Sequence, residues 1–340
     1  MRFHTGALGF VAAGFAGCAG GQLASSTTDD LSGLTLPLLT DGGVRLAVAG
    51  KVGERDATVL FDSTRELSSA SQGCFEGSPA LVSMVKLEPL RGGTVELPGA
   101  TLSGLTLGGI GYRDIEVALE TETGCTVRLG LELLKPYALR YRPEPAQVTI
   151  LRSLHDADLE GLRRLPGVNV LKMEKAHGHE WPLLVTRANQ GPGHIIATLV
   201  VATAEHRSEL SASVLEGGSP KSLEQMARLL GEPPSSVAVE KHSAVFVETL
   251  ELSPRLNVGP LWVSASPWSP STTAQGTLGG DAWGSFNMTL DFGKGAMVVH
   301  SRRASAAPVS KESPERRLVD RFVKWLEERK PVEEPELPEP

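Results

Sequence analysis

The sequence predicts a mainly all-β protein built as two pseudo-symmetric, β-rich lobes. Composition is the first reason: 340 residues suit about two domains. A 41% hydrophobic content can fill a core, while 37 Gly, 23 Pro and only 5% aromatic residues point to many turns. The second reason is a strand-like run that occurs twice. Ala57-Thr58-Val59-Leu60-Phe61-Asp62-Ser63-Thr64 is matched by Ala197-Thr198-Leu199-Val200-Val201-Ala202-Thr203-Ala204, which sets Asp62 opposite Ala202 (202 − 62 = 140). The third reason is a repeated Leu-Gly element. Leu129-Gly130 and Leu278-Gly279 align without a gap through Ile150 and Val299 (279 − 130 = 149, 299 − 150 = 149). Two landmarks in the same order in each half indicate a degenerate internal duplication.

The chain opens on a targeting segment rather than on fold. Arg2 and His4 precede a small, apolar stretch from Gly6 to Phe15. Phe15-Ala16-Gly17-Cys18 resembles the cleavage box of bacterial lipoproteins, with Phe where Leu is usual. That resemblance implies that residues 1–17 are a signal peptide and that Cys18 becomes the lipidated first residue of the mature chain. Ala19, in place of Asp, then implies the outer membrane, with the protein facing the periplasm or the cell surface. The alternative is an ordinary secretory signal that contains a cysteine. Three cysteines are present, and with Cys18 acylated, Cys74 and Cys125 remain as a pair. Export favours a disulfide between them; two buried free thiols are the alternative. A formal charge of −7 argues against nucleic acid as a partner.

Residues 18–33 are rich in Gly, Ser, Thr and Asp and read as a flexible tether. The first lobe, 34–152, begins with strand-like Val44–Ala49 and Arg55–Phe61, joined by a turn at Gly50-Lys51-Val52-Gly53. Ala80–Leu87 and Gly93–Leu97 read as a hairpin, and Leu105–Gly109 and Ile115–Leu119 as strands around a Gly108-Gly109-Ile110-Gly111 turn. Gln147–Leu151 is the returning strand that closes the lobe. The connection, 153–180, has helical spacing at Leu154, Leu159 and Leu162. The second lobe, 181–303, contains a helix candidate at Ser219–Leu230, with Ser219 as cap, Pro220 as first helical residue, and Leu223, Met226 and Leu230 on one face. After the repeated strand, Arg65–Ser71 is set against Ser208–Ser213 across a short insertion. In the tail, 304–340, Leu318, Phe322, Trp325 and Leu326 give Glu315–Lys330 an apolar side, either docked on the second lobe or offered to a partner. Pro331–Pro340 is Pro/Glu-rich and is expected to be disordered.

The Asp62 strand resembles the active-site strand of aspartic peptidases of the pepsin and retropepsin type, which ends Asp-Thr-Gly or Asp-Ser-Gly. Leu129-Gly130 and Leu278-Gly279 resemble the apolar-apolar-Gly element that passes behind the catalytic turn in that family. Met288-Thr289-Leu290-Asp291-Phe292-Gly293-Lys294-Gly295 is similar to the strand and turn of its bacterial members. The resemblance covers Leu34 to Ser301 and implies two β-rich lobes with a cleft between them, Asp62, Ser63 and Thr64 at one catalytic turn, and the 80–97 hairpin as a flap. It sets Ala202, Thr203 and Ala204 at the second turn, where the acid is missing.

Such peptidases need two carboxylates, one taking a proton from water while the other gives one to the scissile carbonyl. Alanine cannot titrate. Thr64 and Ala204 each add a Cβ where the family has Gly, and Arg65 brings a cation close by. The reading is therefore a scaffold that has lost catalysis and serves peptide or protein binding, or architecture. Its expected partners are a membrane reached through the lipid and an extended peptide or envelope protein. The alternative is an active endopeptidase pairing Asp62 with an unidentified second acid. Asp281 is the obvious acid to inspect, yet it aligns with Glu132, away from the turn. His177, His179 and Glu180 sit in a polar connection with no further ligand cluster, so neither metal nor cofactor is expected. No Gly-x-Ser-x-Gly elbow is present, and no His is placed by sequence to activate Ser63.

Overall fold

A computed structural model describes residues 25–26, 31–40, 43–88, 90, 94–190, 193–211, 214, 223–231, 244–266, 273–303, and 317, 318, 320, 321, 324, 325 and 328. Residues 1–24, with Cys18 and the expected signal peptide, and Pro331–Pro340 lie outside these, as do Ser219 and Pro220. No helix among the described residues is long and apolar enough to cross a membrane.

The first lobe is a closed β-structure. Its strands are β1 (Ser25–Ser26), β2 (Thr35–Pro37), β3 (Ala47–Val52), β4 (Arg55–Phe61), β5 (Ser69–Ser71), β6 (Leu81–Leu87), β7 (Val95–Leu107), β8 (Ile110–Glu120) and β9 (Thr126–Leu129). All but β2 join one sheet in the order β1-β8-β5-β9-β4-β3-β7-β6, and β8 also pairs with β7, which closes the ring. Alternation along β4 explains its place: Ala57, Val59 and Phe61 point into the core, whereas Asp56 is exposed. Gly108 and Gly109 take φ of 55° and 88°, the left-handed pair that a tight β7–β8 hairpin requires. The turn between β3 and β4 falls at Gly53-Glu54, later than expected, because Gly50 to Val52 pair with Arg55 to Ala57.

After α1 (Leu131–Leu134), the strands β10 (Tyr137–Pro143) and β11 (Ala146–Arg152) leave the lobe. The expected connecting helix forms as α2 (Asp156–Arg163). Strands β12 (Val168–Lys172) and β13 (Glu174–Lys175) lead into the second lobe. That lobe contains β14 (Pro182–Gln190), β15 (Gly193–Val201), β16 (Glu209–Ser211), α3 (Leu223–Leu229), β17 (Ala244–Val247), β18 (Thr249–Ser253), β19 (Leu256–Val258), β20 (Leu261–Ser266) and β21 (Gly276–Leu278). The chain then runs through α4 (Gly280–Trp283), β22 (Phe286–Asp291) and β23 (Ala296–Arg303).

A six-stranded sheet joins the halves in the order β12-β23-β22-β10-β11-β2. Its centre is the antiparallel pair β10–β22, in which Arg140 faces Thr289. These two residues are separated by the Leu-Gly repeat offset (289 − 140 = 149), so the pseudo-two-fold axis passes between them. The flanks obey the same operation: β2 pairs Leu36 with Val148, and β12 pairs Leu171 with Met297 (297 − 148 = 149). One apolar cluster runs through both lobes and includes Phe61, Val127 and Leu129 with Val201, Leu278 and Trp283.

One expectation changes, and one of two alternatives is met. Within the stretch read as a tether, Ser25-Ser26 add to β8, Leu31 is buried in the core, and the Gly33 amide bonds to Ile150. An apolar Leu31 in a polar stretch was the available signal. The C-terminal segment docks on the second lobe. Leu318 is buried with Met226, Ala227 and Phe246, and Trp262 and Trp325 pack against that group. Phe322 and Leu326 lie outside the described side chains.

Candidate functional site: two turns on the pseudo-two-fold axis

Each turn is set by a parallel strand pair and by the short helix behind it. β4 runs beside β9, and Asp62 N–H donates to Leu129 O at 2.9 Å; β15 runs beside β21, and Ala202 N–H donates to Leu278 O at 3.0 Å. Beyond the turns, Leu131 N–H and Glu132 N–H donate to the Arg65 and Glu66 carbonyls. Gly280 N–H and Asp281 N–H donate to those of Glu205 and His206. The first set maps on the second by 140 for the turn and 149 for the helix.

This corrects the expected register. Ser208 corresponds to Ser68 (208 − 68 = 140), not to Arg65, and no insertion separates the copies. Ser68 Oγ accepts from Gly130 N–H, and Ser208 Oγ accepts from Gly279 N–H, each at 2.9 Å. A helix carboxylate completes each unit: Glu132 accepts from Ser68 N–H at 2.6 Å, and Asp281 accepts from Ser208 N–H and Oγ–H. Burial raises the pKa of both carboxyls above the ordinary range, with the serine hydrogen bonds opposing. Asp281 is thus a half-buried brace behind the second turn.

At the axis the two turns hold each other. Ser63 N–H donates to Thr203 Oγ1 at 3.0 Å, and Thr203 N–H donates to Ser63 Oγ at 3.1 Å. Ser63 Oγ–H donates in turn to Val201 O, and Thr203 Oγ1–H to Phe61 O. Each hydroxyl therefore gives its proton to the opposite lobe's carbonyl and takes one from its amide. Ser63 and Thr203 are fully buried, which makes this reciprocal lock the polar centre of the molecule. It sets the turn that begins at Asp62 against the turn that begins at Ala202.

The surroundings of these two residues differ. Asp62 is 2% exposed and Ala202 is 0% exposed. Asp62 Oδ1 accepts from Thr64 N–H at 3.0 Å and from Thr64 Oγ1 at 2.6 Å. Its Oδ2 lies 3.5 Å from both Arg65 Nε and Arg128 Nη1. Arg65 and Arg128 also pair with Glu120, and Arg128 Nη2 donates to Glu122 at 2.8 Å. Burial disfavours the Arg128 charge, but the Glu122 hydrogen bond and the nearby carboxylates outweigh it and raise its pKa. In the second lobe Glu205 stands where Arg65 does (205 − 65 = 140), and Thr277 where Arg128 does (277 − 128 = 149). Thr277 Oγ1 donates to Glu205 at 3.4 Å. The lobe that lacks the acid also lacks both cations. Arg128 was not singled out from sequence, because only the β4–β9 pairing brings residues 62 and 128 together. Thr64 closes the first turn with hydrogen bonds from its N–H and Oγ1–H to Asp62.

The remaining candidates fall elsewhere. Cys74 and Cys125 form a disulfide with Cα atoms 4.3 Å apart. The expected hairpin forms from β6 and the first half of β7, with Leu81, Val82 and Met84 exposed along the edge and Leu90 buried. His179 stacks on buried Trp181 at 3.9 Å. It approaches Glu66 at 3.3 Å and Glu88 at 3.6 Å, while Glu180 pairs with Lys135 and Lys175. His177 is exposed. Among the described residues, no group of three or more His, Cys, Asp or Glu is arranged to hold a metal.

No protein-family profile matches the sequence, and no curated protein does. Solved structures do. The aspartic proteinase of Irpex lacteus matches over 80% of this chain and 98% of its own, with a TM-score of 0.50 and 9% identity. With closed β-lobes, a shared central sheet and paired turns on the axis already in place, that likeness identifies the architecture: the chain has an aspartic-proteinase-like fold.

Proposed function

We propose that this chain is an envelope lipoprotein, anchored through Cys18, whose aspartic-peptidase-like scaffold has given up catalysis and serves peptide or protein binding, or architecture. One observation carries the loss of catalysis: in the second turn, the place equivalent to Asp62 is held by Ala202. The two-acid reaction needs one group to accept a proton and another to donate it in the same step. Alanine does neither. The Asp62 carboxylate is meanwhile occupied by Thr64, Arg65 and Arg128. Glu120 shares both guanidiniums with Asp62, and Glu122 binds Arg128, so these carboxylates are engaged in the same ion-pair cluster. Binding is supported by the general aptness of a two-lobed cleft for an extended peptide, and anchoring by the Phe15-Ala16-Gly17-Cys18 box.

The test is an assay of purified protein against an unstructured protein substrate from about pH 3 to pH 7, the range in which carboxylates titrate, with and without pepstatin. No cleavage above the Asp62→Asn background is expected. Acid-dependent, pepstatin-sensitive cleavage that Asp62→Asn abolishes overturns the reading. A peptide array then separates binding from architecture, since saturable capture is expected only of a binding groove.

A further inference from the structure

We propose that the two lobes are clasped at two pseudo-symmetric contacts of opposite acid response, so that mild acid opens the one at His206 and keeps the one at Glu66. The inference is independent of the lipid anchor and of the missing acid. Each contact joins the residue four places beyond the start of a turn to a backbone amide of the chain entering the other lobe. Glu66 and His206 are equivalent (206 − 66 = 140): their carbonyls accept from Glu132 N–H and Asp281 N–H. The amides are equivalent as well. Ala47 pairs with Leu60 and Leu183 with Val200, an offset that carries Val44 onto Glu180 (183 − 47 = 136, 180 − 44 = 136). Glu180 N–H donates to Glu66 Oε1 at 2.8 Å, and Val44 N–H donates to His206 Nδ1 at 3.0 Å.

The imidazole changes places between the two contacts. The residue before each amide is Gly43 in one and His179 in the other (179 − 43 = 136). Gly43 leaves space for the His206 ring, which a Cβ there would strike. His179 turns toward the acceptor instead: Nδ1 lies 3.3 Å from Glu66 Oε1, and Nε2 lies 3.6 Å from Glu88 Oε2. His206 Nδ1 accepts only while it carries no proton, whereas His179 donates to both carboxylates only when both its nitrogens carry one. Imidazoles change charge between about pH 5 and 8, and carboxylates keep theirs down to about pH 4. The charged neighbours of His206 are Asp281, facing it from α4, and Arg45, Glu205 and Arg207 along the chain. Charge on His206 opposes the rise in the Asp281 pKa, an attraction that favours the protonated ring. The charged neighbours of His179 are Glu66, Glu88 with Lys86 4.0 Å from it, and Glu180 with Lys135 and Lys175.

Amide exchange of the full chain, expressed as protection relative to the intrinsic rate at each pH, reads both contacts. Between about pH 7.5 and about pH 5.5, across the imidazole range, the Val44 amide should lose protection about five-fold, the weight of one typical hydrogen bond. The Glu180 amide should keep its protection over the same range. His206→Asn retains an acceptor at the place of Nδ1 and cannot titrate, so its Val44 amide should stay protected at both pH values. Unchanged Val44 protection in wild type, equal losses at Val44 and Glu180, or a loss that persists in His206→Asn overturns the proposal. The first two outcomes are read in wild type, so they decide it whether or not the variant folds.

Discussion

Glu132 and Asp281 show how single residues are tuned to their place. Both are carboxyls held against a serine behind a turn, and burial lifts both pKa values. A raised native pKa means the folded chain holds the proton more tightly than the unfolded chain. The stabilisation is fully present below the unfolded values and declines as pH rises through them to the raised native ones. The Glu132→Gln/Asp281→Asn protein removes that dependence. Thermal melts should show wild type losing stability relative to the variant as pH rises above the ordinary carboxylate range of about 4. Parallel curves would exclude this role. These residues also mark what the sequence withheld. Asp62 was legible because an acid closing an apolar strand is conspicuous. Ser68 and Ser208 were not, since Ser-Glu-Leu-Ser and Leu-Ser-Ser match themselves in several registers, and the three-residue slip followed. Arg128 was invisible for a different reason. Its tie to Asp62 is a contact between strands 66 residues apart (128 − 62 = 66), and no local pattern announces it.

Among the elements, the Leu-Gly units were read correctly because their glycines are fixed by space rather than by backbone angle. Gly130 and Gly279 have φ of −82° and −87°, open to any residue. A Cβ on Gly130 would nonetheless lie 2.6 Å from the Leu67 carbonyl carbon, and one on Gly279 2.5 Å from that of Arg207. Gly130→Ala and Gly279→Ala should each cost about 3 kcal/mol through displaced backbone. Gly161 within α2 has nothing within 4 Å of its notional Cβ. Gly161→Ala should therefore stabilise by up to about 1 kcal/mol. Urea unfolding of the three variants orders them, and a tolerated Gly279→Ala would contradict the close approach. The strands β4, β7 and β8 were likewise legible in their alternation and their Gly-Gly turn. β1 was not, because two serines in a polar stretch carry no strand signal and owe their state to the open edge of β8.

At the scale of the whole molecule, the lobes share a sheet, a core and the Ser63–Thr203 lock, so they should melt in one transition. Ser63→Ala and Thr203→Val each strand an N–H and a carbonyl of the opposite lobe, at about 1–3 kcal/mol per unsatisfied group. Because each hydroxyl serves the other's amide, the double variant should fall short of the sum by more than ~0.5 kcal/mol. Strict additivity would mean the two hydroxyls act alone. The axis through Arg140 and Thr289 has one more consequence. In an assembly of two identical chains, symmetry copies every substitution, so a residue on the axis changes twice or not at all. Here both halves belong to one polypeptide, and each codon is free of its twin. A change that would disarm both sides of a homodimer can be confined to one. The fused chain can keep Asp62 with its arginines as a charged strut and surrender Ala202 to packing, while the serine–threonine lock that holds the halves together persists on both sides.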